Sequence, residues 1–142
     1  MIIRFVLDAG AVAAYARGSE NLGELLTELA DEAAELDVDL GFEIPAVCLP
    51  SVVRSDPKAI HTLRLLAAHS LCRVRNPDVD RWMSATVAVG DVETAAVAVT
   101  VATADAENRA FDGEDAVYLV TTEPRRYQTA TLDGLNIIPI AG

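Results

Sequence analysis

The chain opens on a nearly unbroken apolar stretch, Ile2 to Leu7, interrupted only by Arg4 and closed by Asp8. A short apolar run with β-branched members and no polar alternation reads as a strand buried on both faces. Ala9 to Arg17 is Ala-rich and stops at Gly18, which predicts a short helix with a glycine beyond its last turn. From Asn21 the spacing becomes helical: Leu22, Leu25, Leu26, Leu29, Ala33 and Leu36 recur, with Glu24, Glu28, Asp31, Glu32 and Glu35 between them. This predicts an amphipathic helix with an acidic outer face, entered through an Asn21/Glu24 capping box. Ala46 to Leu49, between Pro45 and Pro50, reads as a short strand or the start of a helix. Pro57 and Lys58 then introduce a helical pattern carried by Ile60, Leu63, Leu66 and Ala67.

Cys72 to Val74 reads as a second buried strand, closed by Asn76-Pro77. Val79 to Val89 is expected to be helical, with Trp82 and Met83 on its buried side. The Ala/Val segment from Asp91 to Ala110 is rich in β-branched residues, which weakens helix propensity. It runs without a turn signal for longer than an ordinary strand, so a helix is expected. Phe111-Asp112-Gly113 reads as a loop, Ala116 to Val120 as a strand and Pro124 to Tyr127 as a helical turn. Leu135 to Ile140 is a last strand broken by Pro139. Strands alternating with helices imply an α/β fold, a central parallel sheet of about four to five short strands flanked by helices.

A length of 142 residues suits one domain spanning 1–142 and leaves no room for two. A hydrophobic content of 51% excludes a disordered or collagen-like chain. Cys48 and Cys72, with His61 and His69 as the only histidines, match neither a disulfide framework nor a zinc-ligand spacing, so buried free thiols are expected. The opening apolar stretch is too short for a leader or a membrane span, and no longer one follows. A cytoplasmic protein without membrane contact is the expectation. Twenty-two acids against 11 bases give a net charge of −11, which does not attract nucleic acid on its own. The imbalance is local: residues 20–43 hold nine acids and no base, whereas residues 54–81 hold six bases against three acids.

In an open parallel sheet, ligands collect beyond the carboxyl ends of the strands. Asp8 follows the first strand directly, Glu123 follows the strand ending near Val120, and Asp91 starts the long helix, where a carboxylate suits the helix dipole. Oxygen ligands converging at such an edge suit Mg²⁺ or Mn²⁺, which would activate water and neutralise the charge developing on a phosphodiester. Other constellations are poorer. Ser51, Asp56 and His61 lack a nucleophile elbow and an oxyanion-forming glycine turn, and no Gly-rich phosphate loop follows any strand.

Val6-Leu7-Asp8-Ala9-Gly10-Ala11 resembles the first motif of PIN domains, the fold of the VapC-type toxin ribonucleases. Asp91-Val92-Glu93-Thr94-Ala95-Ala96-Val97-Ala98 resembles the aspartate and Ala-rich helix of that family. Leu119-Val120-Thr121-Thr122-Glu123-Pro124 resembles its final strand, threonine and acid, and Leu135 to Ile140 its closing strand. The resemblance implies Asp8 as the central metal ligand and Asp91 as a second ligand or the orienter of a metal-bound water. Glu123 stands for the usual last Asp or Asn, and Thr121 for the hydroxyl that steadies a carboxylate.

The resemblance also implies a degenerate site. The position of the family's second acid falls on Ser51, and neither Asp56 nor Glu43 replaces it; Glu43 is expected at the wrong end of its strand. Two functions are therefore expected in competition. One is a Mg²⁺- or Mn²⁺-dependent ribonuclease of the toxin type, with the bases between Arg54 and Arg81 facing RNA and a small antitoxin-like protein with a basic segment as partner. The other is a binding module that has lost catalysis and acts through such a protein partner. Family members often form homodimers. A third reading, an unrelated α/β fold with acidic loop ends by chance, would require a strand order that separates Asp8 from Glu123.

Overall fold

The opening apolar run becomes the middle of the sheet. The computed structural model describes residues 2–112, 116–128, 132 and 134–141. Strand β1 (Ile2–Leu7) lies between β2 (Asp39–Pro45) and β4 (Val117–Thr121), with β3 (Cys72–Arg75) outside β2 and β5 (Ile137–Pro139) outside β4. All four pairings are parallel, with Val6 opposite Glu43 and Leu119, and Leu7 opposite Val120. Phe5, Val6 and Leu7 are fully buried, as a central strand covered on both faces requires.

The crossovers are α1 (Ala9–Ala16), α2 (Glu20–Leu36), α3 (Cys48–Ser55), α4 (Ile60–Ala67), α5 (Val79–Val89) and α6 (Val92–Asp112). Single 3-10 turns form at Pro57–Ala59 and Pro124–Tyr127. Gly18 follows α1 with φ of +77°, a conformation that disfavours a β-carbon. In α6 the small residues Ala95, Ala96 and Val97 are wholly buried against the sheet. No helix among the described residues is long and apolar enough to cross a membrane. Both cysteines are free; burial raises the thiol pKa of each, that of Cys72 to about 11, so neither is a ready nucleophile.

Several boundaries differ from the sequence expectation. Of the two readings of Ala46 to Leu49, a short strand or the start of a helix, the second holds: Ala46 and Val47 form a turn and Cys48 begins α3, while β2 lies upstream at Asp39–Pro45. Glu43 is thus inside β2, buried, and bonded through Oε1 to Arg75 Nη1 at 3.0 Å. The cap of α2 is Ser19, whose hydroxyl accepts from the Leu22 N–H, rather than Asn21. Helix α5 has no buried residue: Met83 is 59% exposed beside Val79 and Val87, because α5 packs on α6 rather than on the sheet. Phe111 and Asp112 continue α6 rather than forming a loop; Gly113 lies outside the described residues. His69 falls beyond the end of α4 and accepts from the Leu71 N–H through Nδ1 at 3.1 Å.

Candidate functional site

Parallel strands all end at one edge, and the winding reverses across β1, so the segments after β1 and β4 meet there. Asp8 and Glu123 thus follow neighbouring strands. Asp8 Oδ1 accepts from the Ala11 N–H at 2.9 Å, capping α1. Its Oδ2 accepts from the Thr121 hydroxyl at 2.6 Å and the Tyr127 hydroxyl at 2.8 Å. The Thr121 oxygen accepts in turn from the Glu123 N–H at 2.9 Å. One carboxylate, 1% exposed, therefore ties β1, α1, β4 and the following turn together. Burial, reinforced by the Asp8 charge and hydrogen bond, raises the Tyr127 phenol far above its usual pKa and keeps it a donor.

Helix α1 sits close to the end of β4. A β-carbon on Gly10 would fall inside contact distance of Thr122 Oγ1 and 3.5 Å from Asp8 Oδ1. Gly10→Ala is expected to cost about 1–3 kcal/mol as α1 or Thr122 is displaced. Urea unfolding of this variant beside Gly23→Ala, where the added carbon meets nothing within 4 Å, checks the steric cause.

Asp91 caps α6, accepting through Oδ2 from the Thr94 N–H at 3.0 Å and also from the Thr94 hydroxyl. The same oxygen accepts from Arg126 Nη2 at 2.5 Å. Arg126 donates through Nε to Thr94 Oγ1 at 2.6 Å, and its Nη1 lies 3.5 Å from both Glu93 Oε1 and Glu123 Oε2. One guanidinium therefore bridges three carboxylates. The Asp91 carboxyl is lowered to about 2, chiefly by the Thr94 hydrogen bond and then, against the opposing effect of burial, by Arg126. Burial works against the charge on Arg126, but the Asp91 hydrogen bond and the neighbouring carboxylates outweigh it and raise its pKa.

Ser51, in α3, donates to Glu93 Oε2 at 2.8 Å. It faces the acidic edge and is committed to a carboxylate there. Glu93 and Arg126 had no role in the sequence reading. Their signals were an acid in the first turn of a helix already capped by one, and the Arg125-Arg126 pair just after Glu123-Pro124.

A Mg²⁺ or Mn²⁺ ion requires hard oxygens free to converge on it. Both Asp8 oxygens are engaged by donors, Asp91 Oδ2 accepts three bonds, and the Arg126 guanidinium lies among Asp91, Glu93 and Glu123. No group of three or more His, Cys, Asp or Glu among the described residues is arranged to hold a metal ion. The donor set does not fit the ion; its cation is a guanidinium.

The chain was compared with family models, with curated proteins and with solved structures. It matches none of them.

A second concave feature lies away from this edge. A cavity of about 310 Å³ is lined chiefly by Tyr15, Leu26, Phe42, Leu66, Leu71 and Cys72, with Asp31 and His69 at its border. Glu24, Glu28, Asp31, Glu32 and Glu35 are exposed along α2, which forms one wall.

Proposed function

We propose that the chain is a PIN-like binding module that has lost metal-dependent catalysis and acts through a protein partner. The observation that carries this reading is the Arg126 guanidinium spanning Asp91, Glu93 and Glu123. With Ser51 at the second acid's position and Asp8 saturated by donors, the edge is a structural clasp. The partner that fits is a basic segment with apolar anchors: the anchors would enter the cavity between α1, α2 and α4, and the basic residues would meet the acidic face of α2. The net charge of −11 favours a cationic partner at long range.

The competing reading, a Mg²⁺- or Mn²⁺-dependent ribonuclease using Asp8, Asp91 and Glu123, is supported by the meeting of β1 and β4 at one edge. Calorimetric titration of Mn²⁺, paired with an RNA cleavage assay, separates the two. The module is expected to give no saturable heat and no cleavage. Micromolar Mn²⁺ binding that vanishes in Asp91→Asn, together with cleavage, would establish the nuclease instead. A designed Leu/Lys amphipathic peptide, titrated by fluorescence anisotropy, tests the groove. It should bind at low salt and lose at least tenfold in affinity with Leu26→Glu; equal binding would reject the groove.

A further inference from the structure

A second charged cluster lies on one face of β2 and β3, and shares no residue with the acidic edge. The register sets Arg4 opposite Gly41, and Glu43 opposite both Val6 and Arg73. Alternate residues of a strand share a face, so Arg4, Gly41, Glu43, Arg73 and Arg75 rise on the same side of the sheet. Helix α6 reaches this side with Glu107, which pairs with Arg75 at 2.7 and 3.2 Å. A cavity of about 190 Å³ opens beside them, bordered by Arg4, Asp39, Gly41, Glu43, Ser70 and Arg73. Glycine at position 41 keeps this face open: a β-carbon there would stand 3.3 Å from Arg4 Nη1.

Two groups on this cluster have bonding capacity to spare, and they are of opposite sign. Glu43 is 1% exposed; its Oε1 is held by Arg75, but its Oε2 has no hydrogen-bond partner. A buried carboxylate oxygen without a donor is costly, and a bound donor would relieve that cost. Arg73 is 64% exposed and approaches Glu43 and Glu107 only at 3.9 and 3.8 Å, outside hydrogen-bond distance. Arg4, by contrast, is spent on Asp39 through both terminal nitrogens. The charges balance, with Arg4, Arg73 and Arg75 against Asp39, Glu43 and Glu107. A ligand of either sign alone would upset that balance, whereas a ligand carrying both would preserve it.

We propose that this cavity binds a small zwitterion of the amino-acid class, its carboxylate on Arg73 and its ammonium on the free oxygen of Glu43. Glu43 and Arg73 both border the cavity, and Glu43 Oε2 is shielded from solvent, so binding requires the Glu43 carboxylate to turn toward the ligand. The site shares no residue with the Asp8, Asp91 and Arg126 edge, but Phe42, Leu71 and Cys72 also line the peptide cavity, so the test is read at Gly41, Glu43 and Arg73, which do not.

The test is an amide chemical-shift titration of the whole protein with glycine and L-serine, with acetate and methylammonium as single-charge controls. Saturable shifts at Gly41, Glu43 and Arg73 are expected with the zwitterions. Affinity should fall at least tenfold in Arg73→Ala, which alters an exposed side chain, and in Glu43→Gln. No saturable shift overturns the proposal, as does unchanged binding in Arg73→Ala. Acetate binding as tightly as glycine would also overturn it, showing an adventitious ion on Arg73 only.

Discussion

Asp8→Ala is expected to destabilise the protein by about 3–5 kcal/mol, roughly 10–17 °C in melting temperature for a domain of this size. The side chain accepts from one backbone N–H and two hydroxyls while 1% exposed. Removing it strands three buried donors at once, and each unsatisfied buried group costs about 1–3 kcal/mol before relaxation. Asp8→Asn should cost less, about 1–2 kcal/mol. Its carbonyl can still cap α1, and the Thr121 and Tyr127 hydroxyls can turn to accept from the new amide. Urea unfolding of both variants, without added metal, checks the order. A metal-centred role for Asp8 gives the opposite expectation: deleting one acid from a cluster of unneutralised acids leaves stability unchanged or raises it.

The elements legible in the sequence are those whose determinants are local. The β1 run, the leucine spacing of α2 and the apolar stretch of β4 each carry their own signal, and their alternation implied the parallel sheet that the structure shows. The strand at Asp39–Pro45 went unread for a physical reason. Gly41, Glu43 and Pro45 each depress strand propensity, and what compensates Glu43 is Arg75, on a strand 32 positions away. The buried side expected for α5 failed differently. Trp82 and Met83 are apolar, but their partner is a single helix, which leaves Met83 in solvent.

The acidic edge was legible in its acids and not in its cation. Asp8, Asp91, Thr121 and Glu123 lie at strand or helix ends, where position alone suggests a site. The pairing that changes their meaning joins Arg126 to Asp91 across 35 positions. Arg125 and Arg126 are indistinguishable as letters, yet Arg125 is exposed while Arg126 is folded inward. The inward turn of the chain after Pro124 is what brings this guanidinium among the acids.

Arg126→Met should therefore carry the second largest effect, a loss of about 2–3 kcal/mol at neutral pH and low salt. Methionine keeps much of the aliphatic stem, so the variant removes chiefly the charge and the donors to Asp91 and Thr94. Arg125→Met, on the exposed neighbour, should stay within about 0.5 kcal/mol of the parent. The pH dependence separates charge from packing. Asp91 has a native pKa of about 2 against an ordinary 3.8, so its depressed pKa stabilises the fold above the ordinary value, and the gain is lost as pH falls towards the native one. Because Asp91 is 46% exposed, that share is screened and modest. The gap between parent and variant should thus be full from pH 5 upward, narrow as Asp91 protonates between pH 3.8 and 2, and shrink in high salt. Unfolding curves across that range check both trends. A gap that ignored pH and salt would assign the loss to the packing of the stem, and the reading of Arg126 as the cation of this edge would fail.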